Sequence, residues 1–260
     1  MSFGLLLNAI VCFAIVLATS AFAVSLHQSK KKQKEESLPT LNALIIFWSL
    51  VGMFFFFAGL RTLAAYGNFP EVETSLYYIG SVPFAFITVS LVYFIIYIIL
   101  GDNRVSIGVS TVFMIFGAIY LIAIFGFGII GPYTSEWGST YEINSNMAVN
   151  VYLSGLFIVP TSMIMGLLLL ILLQRIPKRL QNKIAFSLVS ISLIFDFMLL
   201  DNIAPSGSTQ MAARIFIFIG VVLGFFSYFT PLSLDRKFGT MEDRLGLSQT
   251  ELEDFEGEDE

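Results

Sequence analysis

Apolar residues in this chain come in long runs separated by short polar stretches, without the alternation of a half-buried strand or the one-sided stripe of a soluble helix. Seven runs have spanning length: 3–26, 41–65, 76–100, 107–130, 147–173, 184–200 and 211–228. Turn residues occupy the breaks. Ser37-Leu38-Pro39 precedes the second run and Pro70 the third; Gly101-Asp102-Asn103 and Gly131-Pro132 bracket the fourth, and Pro177 and Pro205-Ser206-Gly207 the sixth. Roughly 20 apolar residues of helix cross the hydrocarbon core of a bilayer. The pattern predicts an all-α polytopic membrane protein, a seven-transmembrane helix bundle over 1–232, multi-pass in a cell membrane, with the lipid bilayer as its first partner.

Composition agrees and narrows the chemistry. The 260 residues are 56% hydrophobic and 13% charged, where about 25% charged is usual for soluble domains. Seven spans leave no room for a soluble catalytic domain. The chain has a single cysteine, Cys12, and a single histidine, His27. An internal disulfide is thereby excluded, as are the His/Cys clusters that zinc, haem or iron-sulfur centres need. No Ser/His or Cys/His nucleophile pair is available at membrane depth. Asp196 and Asp201 lie about 140° apart around a helix, too far to form a carboxylate dyad on one face. The expectation is a protein that is not an enzyme, holds no cofactor or metal and takes no nucleic-acid partner.

Positive charge sets the expected orientation, because Lys and Arg concentrate in cytoplasmic loops. Lys30, Lys31, Lys32 and Lys34 follow the first run, Arg104 precedes the fourth, and Arg175, Lys178, Arg179 and Lys183 separate the fifth and sixth. With Arg236, Lys237 and Arg244 in the tail, 12 of the 14 basic residues fall on one side. Glu71, Glu73, Glu136 and Glu142 fall on the other. This places the N-terminus outside and the C-terminus in the cytoplasm. The first run lacks a basic leader and is followed by lysines, so it reads as a retained helix and not as a signal peptide.

The two remaining basic residues, Arg61 and Arg214, share the expected outer layer with Asp196 and Asp201. Charges within a span are costly and raise the question of a site. Asp196 is expected to face the bundle interior and pair with Arg214 or Arg61. Two readings stay open: a structural ion pair with Arg61 reaching toward the interface, or a site for a small polar or anionic ligand from outside, the same groups also suiting a voltage- or proton-responsive pair. Pro160 interrupts the fifth run and frees a carbonyl one turn earlier, which Thr161 and Ser162 are placed to satisfy. A kink there would present Asn150, Ser154 and Thr161 on one face. For helix packing, Ala14, Ala18, Ala21 and Ser25 form a small-residue stripe, Gly220 and Gly224 a GxxxG pair, and Gly117, Gly126 and Gly128 open the fourth run to a neighbour.

The tail, 233–260, carries 10 acidic and 3 basic residues and reads as a separate, flexible cytoplasmic unit. Ser248-Gln249-Thr250-Glu251 has the form of a capping box, and Leu252 and Phe255 are candidate contacts for a cytoplasmic protein partner. The layout resembles that of rhodopsins in helix number and orientation. A retinal Schiff base needs a lysine in the bundle, and the lysines at 30, 31, 32, 34, 178, 183 and 237 lie in no span. The layout also resembles the seven-helix sensor regions of bacterial and archaeal histidine kinases, here without an output domain. An integral membrane sensor or signal-relay module is the favoured reading, with a small-solute transporter or channel, or an accessory subunit of a membrane complex, as alternatives. The absence of an N-x-S/T sequon is compatible with a prokaryotic membrane.

Overall fold

The structure is a computed structural model that describes residues 2–30, 38–144, 146–173, 178–204 and 206–229, with side chains at all of these except 38, 146–154 and 178–184. Seven helices follow one another: α1 (Phe3–Lys30), α2 (Leu38–Tyr66), α3 (Pro70–Leu100), α4 (Asn103–Phe127), α5 (Asn146–Leu173), α6 (Lys178–Asn202) and α7 (Gly207–Tyr228). Each contains a stretch long and apolar enough to cross a membrane. The protein is a multi-pass membrane protein built as an all-α bundle.

Local chemistry sets the helix ends. Pro70 supplies the fixed φ of a first helical turn, and Gly101 closes α3 in the left-handed region at φ 65. The Asp102 side chain caps α4 by accepting from the Arg104 amide at 2.7 Å. Ser206 caps α7 through the Thr209 amide.

One segment departs from the expected plain connection. The fourth span ends at Phe127 and gives way to an antiparallel hairpin of β1 (Ile129–Thr134) and β2 (Ser139–Ile143), paired Ile129 to Ile143 and Thr134 to Ser139, with a register shift at Gly131-Pro132. Within it Ser139 and Tyr141 are buried, and Asn8 of α1 and Arg61 of α2 bond to its backbone. The hairpin therefore packs onto the bundle end formed by the starts of α1, α3 and α7 and the ends of α2 and α6.

Neighbours in sequence pack against one another, and α7 returns to α1. The core is aromatic: Phe22, Phe47, Trp48, Phe55, Phe84, Phe157 and Phe195 are all buried, with Phe22 stacked on Trp48 at 4.3 Å between ring centroids. Gly220 and Gly224 let α7 approach α6 closely. A Cβ on Gly220 would meet Ile194 and Leu193 at 2.8 Å, and one on Gly224 would meet Ser190 Oγ at 2.5 Å. Ser190 Oγ donates to the Gly220 carbonyl at 2.6 Å across this seam. Gly117 brings α4 onto the Ala85 carbonyl of α3 in the same way, whereas Gly126 and Gly128 face open space.

Two expectations about packing are corrected. The buried face of α1 is Leu5, Asn8, Ala9, Cys12, Ile15, Thr19, Phe22 and Leu26, while the small-residue stripe stays half-buried at Ala14, Ala18 and Ser25 and exposed at Ala21. Large apolar groups, with Gly52 and Gly59 of α2 opposite, make this seam. Pro160 lies inside α5, which runs through it as one helix, and the Leu156 carbonyl one turn earlier is satisfied from α3, where Thr88 Oγ1 donates to it at 2.9 Å. Thr161 and Ser162 bond elsewhere, to Asp196 and to the Ile158 carbonyl. Pro83 is a second proline inside a span, in α3.

Candidate functional site

Beneath the hairpin lies a layer of buried polar side chains centred on Arg214, which is 0% exposed. Its position follows from helix geometry, since side chains on a helix lean toward the N-terminus. From α7 the guanidinium therefore reaches toward the hairpin end. Nε donates to Asp201 Oδ1 at 2.7 Å. Nη1 donates to Asn8 Oδ1 of α1 at 2.9 Å and to Thr62 Oγ1 of α2 at 3.2 Å. Hydrogen-bonding logic turns the Gln210 amide oxygen toward both arginines, so that it accepts from Arg214 Nη2 at 3.3 Å and Arg61 Nη2 at 3.2 Å.

Arg61 sits one step closer to the hairpin. Its guanidinium carbon lies 5.3 Å from the Tyr77 ring centroid and 5.6 Å from that of Tyr141, cation–π contacts that hold it between α3 and the hairpin. Nη2 donates to the Ser139 carbonyl at 3.4 Å. Ser139 Oγ in turn donates to the buried carboxylate of Glu73. Burial pushes the Tyr141 hydroxyl above its usual range, so this ring remains neutral at any working pH.

The hairpin is tied down from several helices. Asn8 Nδ2 donates to the Trp137 carbonyl at 2.6 Å and Ser2 Oγ to the Glu136 carbonyl at 2.8 Å. Gly138 and Gly207 approach backbone to backbone, a Cβ on Gly138 lying 3.0 Å from Gly207 Cα. Asn8 thus uses both ends of its amide, one on the lid and one on Arg214.

A small cavity of about 30 Å³ lies between lid and network, lined by Arg61, Tyr77, Tyr141, Asp201, Asn202 and Gln210. At roughly 10–15 Å³ per water it has room for about two. Three buried polar groups on lining residues, Arg61 Nε, Asn202 Nδ2 and the Tyr141 hydroxyl, have no hydrogen-bond partner among the described residues. Buried donors normally find an acceptor. The cavity thus offers donors, with Arg61 as its cation, and its one lining carboxylate, Asp201, is already paired with Arg214.

The expected cluster is brought together in part. Arg61, Asp201 and Arg214 converge, but the pairing of Asp196 with an arginine is corrected. Asp196 is exposed on the bundle surface, where it accepts from Thr161 Oγ1 at 3.1 Å and Ser192 Oγ at 3.4 Å. Asp201 takes its expected place, because it ends α6 at the level toward which Arg214 leans. Asn150 and Ser154 lie on α5 with side chains outside those described, and Leu252 and Phe255 lie outside the described residues. The residues not foreseen are Asn8, Thr62, Glu73, Tyr77, Tyr141, Asn202 and Gln210. Asn8 is marked by being an amide within an apolar run, and Gln210 by sitting four residues before Arg214 on the same helix face.

Comparison with protein-family models, with curated proteins and with solved structures finds no match to the chain.

Proposed function

We propose that the protein is a non-enzymatic membrane sensor or signal-relay module whose site is the lidded cavity at Arg61, facing the outside, and whose ligand is a small hydrogen-bond acceptor of the anion class. The observation that carries this reading is the set of unsatisfied buried groups, Arg61 Nε, Asn202 Nδ2 and the Tyr141 hydroxyl, beside a cavity of about 30 Å³. Small, and with the Arg61 guanidinium and other unsatisfied donors at its wall, the cavity suits an inorganic anion or a short carboxylate better than a large organic ligand, because sites for drug-sized molecules occupy about 300–1,000 Å³. Arg214 does not supply the binding group, since its guanidinium is engaged by Asp201, Asn8, Thr62 and Gln210.

A ligand that draws the Arg61 guanidinium toward its free Nε weakens the Nη2 contacts to the Ser139 carbonyl and to Gln210, two of the contacts by which α2 meets the hairpin and α7. Binding then biases the lid and the two helices together, and a relay to the cytoplasmic ends requires that bias to differ between two states of the bundle. The acidic tail is the segment this reading assigns to a cytoplasmic partner.

Thermal unfolding of the purified protein in nanodiscs, titrated with halide, nitrate, formate and acetate, tests the proposal. A saturable rise in Tm with one of these anions is expected, and Arg61→Gln should abolish it while leaving Arg214 paired. Equal small shifts with all salts, unchanged in Arg61→Gln, would mean ionic strength alone and would refute the site. A solute carrier is the second reading, favoured by prolines inside two spans that pack on each other, Pro83 of α3 and Pro160 of α5. Proteoliposome uptake of the anion that binds separates the two.

A further inference from the structure

At the end of the bundle opposite the hairpin, a groove of about 570 Å³ opens between α2 and α4 above α3. The α2 wall is Pro39, Asn42, Ala43, Ile46 and Leu50, which share one helix face at 3- and 4-residue steps. The α4 wall is Asn103, Ser110 and Met114, and Phe86, Val89, Ser90 and Tyr93 of α3 form the floor. From Asn103 to Met114 the groove runs about 16 Å along the helix at 1.5 Å per residue, close to half of the roughly 30 Å hydrocarbon core. Its length is that of one leaflet.

Polarity changes along this length. Deep in the groove the serines spend their protons on their own helices, Ser90 on the Ile87 carbonyl at 2.9 Å and Ser110 on the Ser106 carbonyl at 2.7 Å. The lining there is effectively apolar. At the mouth, Tyr93 donates to Asn103 Oδ1 at 2.7 Å, which leaves the Asn103 Nδ2 protons for an outside acceptor. Asn42 is exposed on the α2 wall, and the exposed Arg104 follows Asn103 on α4. Asp102 accepts from the Arg104 amide at the cap of α4, and the Arg104 side chain follows Asn103 in sequence, next to the mouth.

We propose that this groove is a binding site for one diacyl phospholipid, with an acyl chain along the trench from Leu50 to Asn42 and the phosphate accepting from Asn42, Asn103 and Arg104. The groove is continuous with the lipid-facing surface of the bundle, since Ile46 is 52% and Met114 53% exposed. An apolar trench within a bilayer is filled by what surrounds it, and the donors at its mouth select which lipid stays. The site is remote from the Arg61 cavity and does not depend on its role.

Native mass spectrometry of the full chain released from detergent, with phosphatidylglycerol or diacylglycerol of the same acyl chains added, tests this. One phosphatidylglycerol should remain bound, at least ten-fold more tightly than diacylglycerol. Ile46→Trp, which blocks the trench from its exposed wall without touching the core, should remove it, and Asn42→Leu with Asn103→Leu should erase the preference for the phosphate. A diazirine-bearing acyl chain should label peptides containing Met114 or Ile46 in the wild type. Equal retention in wild type and Ile46→Trp, no preference over diacylglycerol, or cross-links from this groove to a second copy of the chain would each overturn the proposal.

Discussion

Arg214 shows how a charge is kept inside a bundle at membrane depth. Asp201, Asn8, Thr62 and Gln210 accept four hydrogen bonds from its guanidinium, and Asp201 supplies the compensating charge. Removing one member of such a pair leaves the other buried and unpaired, which costs more than the pair contributes. Asp201→Asn should therefore lower the unfolding free energy in mild detergent by about 3–5 kcal/mol. The double variant Asp201→Leu/Arg214→Met should recover most of that loss; equal destabilisation by both would mean the network is essential to packing as well as to charge. Asp196 gives the opposite case. Its carboxylate lies on the exposed face of α6 with only two hydroxyls for company among the described residues, and a carboxylate at helix centre costs about 2.5–3.5 kcal/mol in insertion. Asp196→Leu should thus be neutral or stabilising by up to about 3 kcal/mol on denaturation from bicelles, and a clear loss of stability would place a required polar partner at that surface. The sequence distinguishes these two acids only if the lean of the arginine is included. Counting depth along α6 favours Asp196, whereas the N-terminal tilt of a helical side chain favours Asp201.

At the scale of elements, the spans are legible because length and hydropathy alone decide what can cross a bilayer. The hairpin is not, since Gly131-Pro132 reads equally well as the end of a span and as a turn, and its paired strands carry too little apolar periodicity to declare themselves. Nor is the repair of α5, because the group that satisfies the Leu156 carbonyl comes from 68 positions away, at Thr88. That bond makes a sharp test of how a proline-containing helix is held. Thr88→Val leaves a buried carbonyl without its donor and should cost about 1–3 kcal/mol. In a Pro160→Ala background the new backbone amide at position 160 can bond to the Leu156 carbonyl within α5, so the same change should cost much less. The thermodynamic cycle of the four proteins, measured by reversible unfolding in detergent, should show coupling between the sites. Strict additivity would mean that Thr88 contributes through packing and not through this carbonyl.

For the whole molecule the open quantity is its direction across the membrane, on which access to the Arg61 cavity depends. The architecture fixes that all odd-to-even connections meet one face and all even-to-odd connections the other, so one assignment determines the rest. Arg104 at the start of α4 and Lys30 at the end of α1 share the face opposite the hairpin. The connections and tail that belong to that face carry 12 of the 14 Lys and Arg residues, and a bias of this size in short loops normally places it in the cytoplasm. The hairpin, with Glu136 and Glu142 exposed, would then meet the outside. Single cysteines decide it cleanly, because the native Cys12 is 0% exposed and does not compete for reagent in the folded protein. Thr134→Cys, on the exposed edge of β1, should react with a membrane-impermeant maleimide on intact cells, and Gln181→Cys only after permeabilisation. The reverse pattern would turn the lid toward the cytoplasm, remove the outside ligand from consideration, and make the Arg61 cavity a site for an intracellular anion.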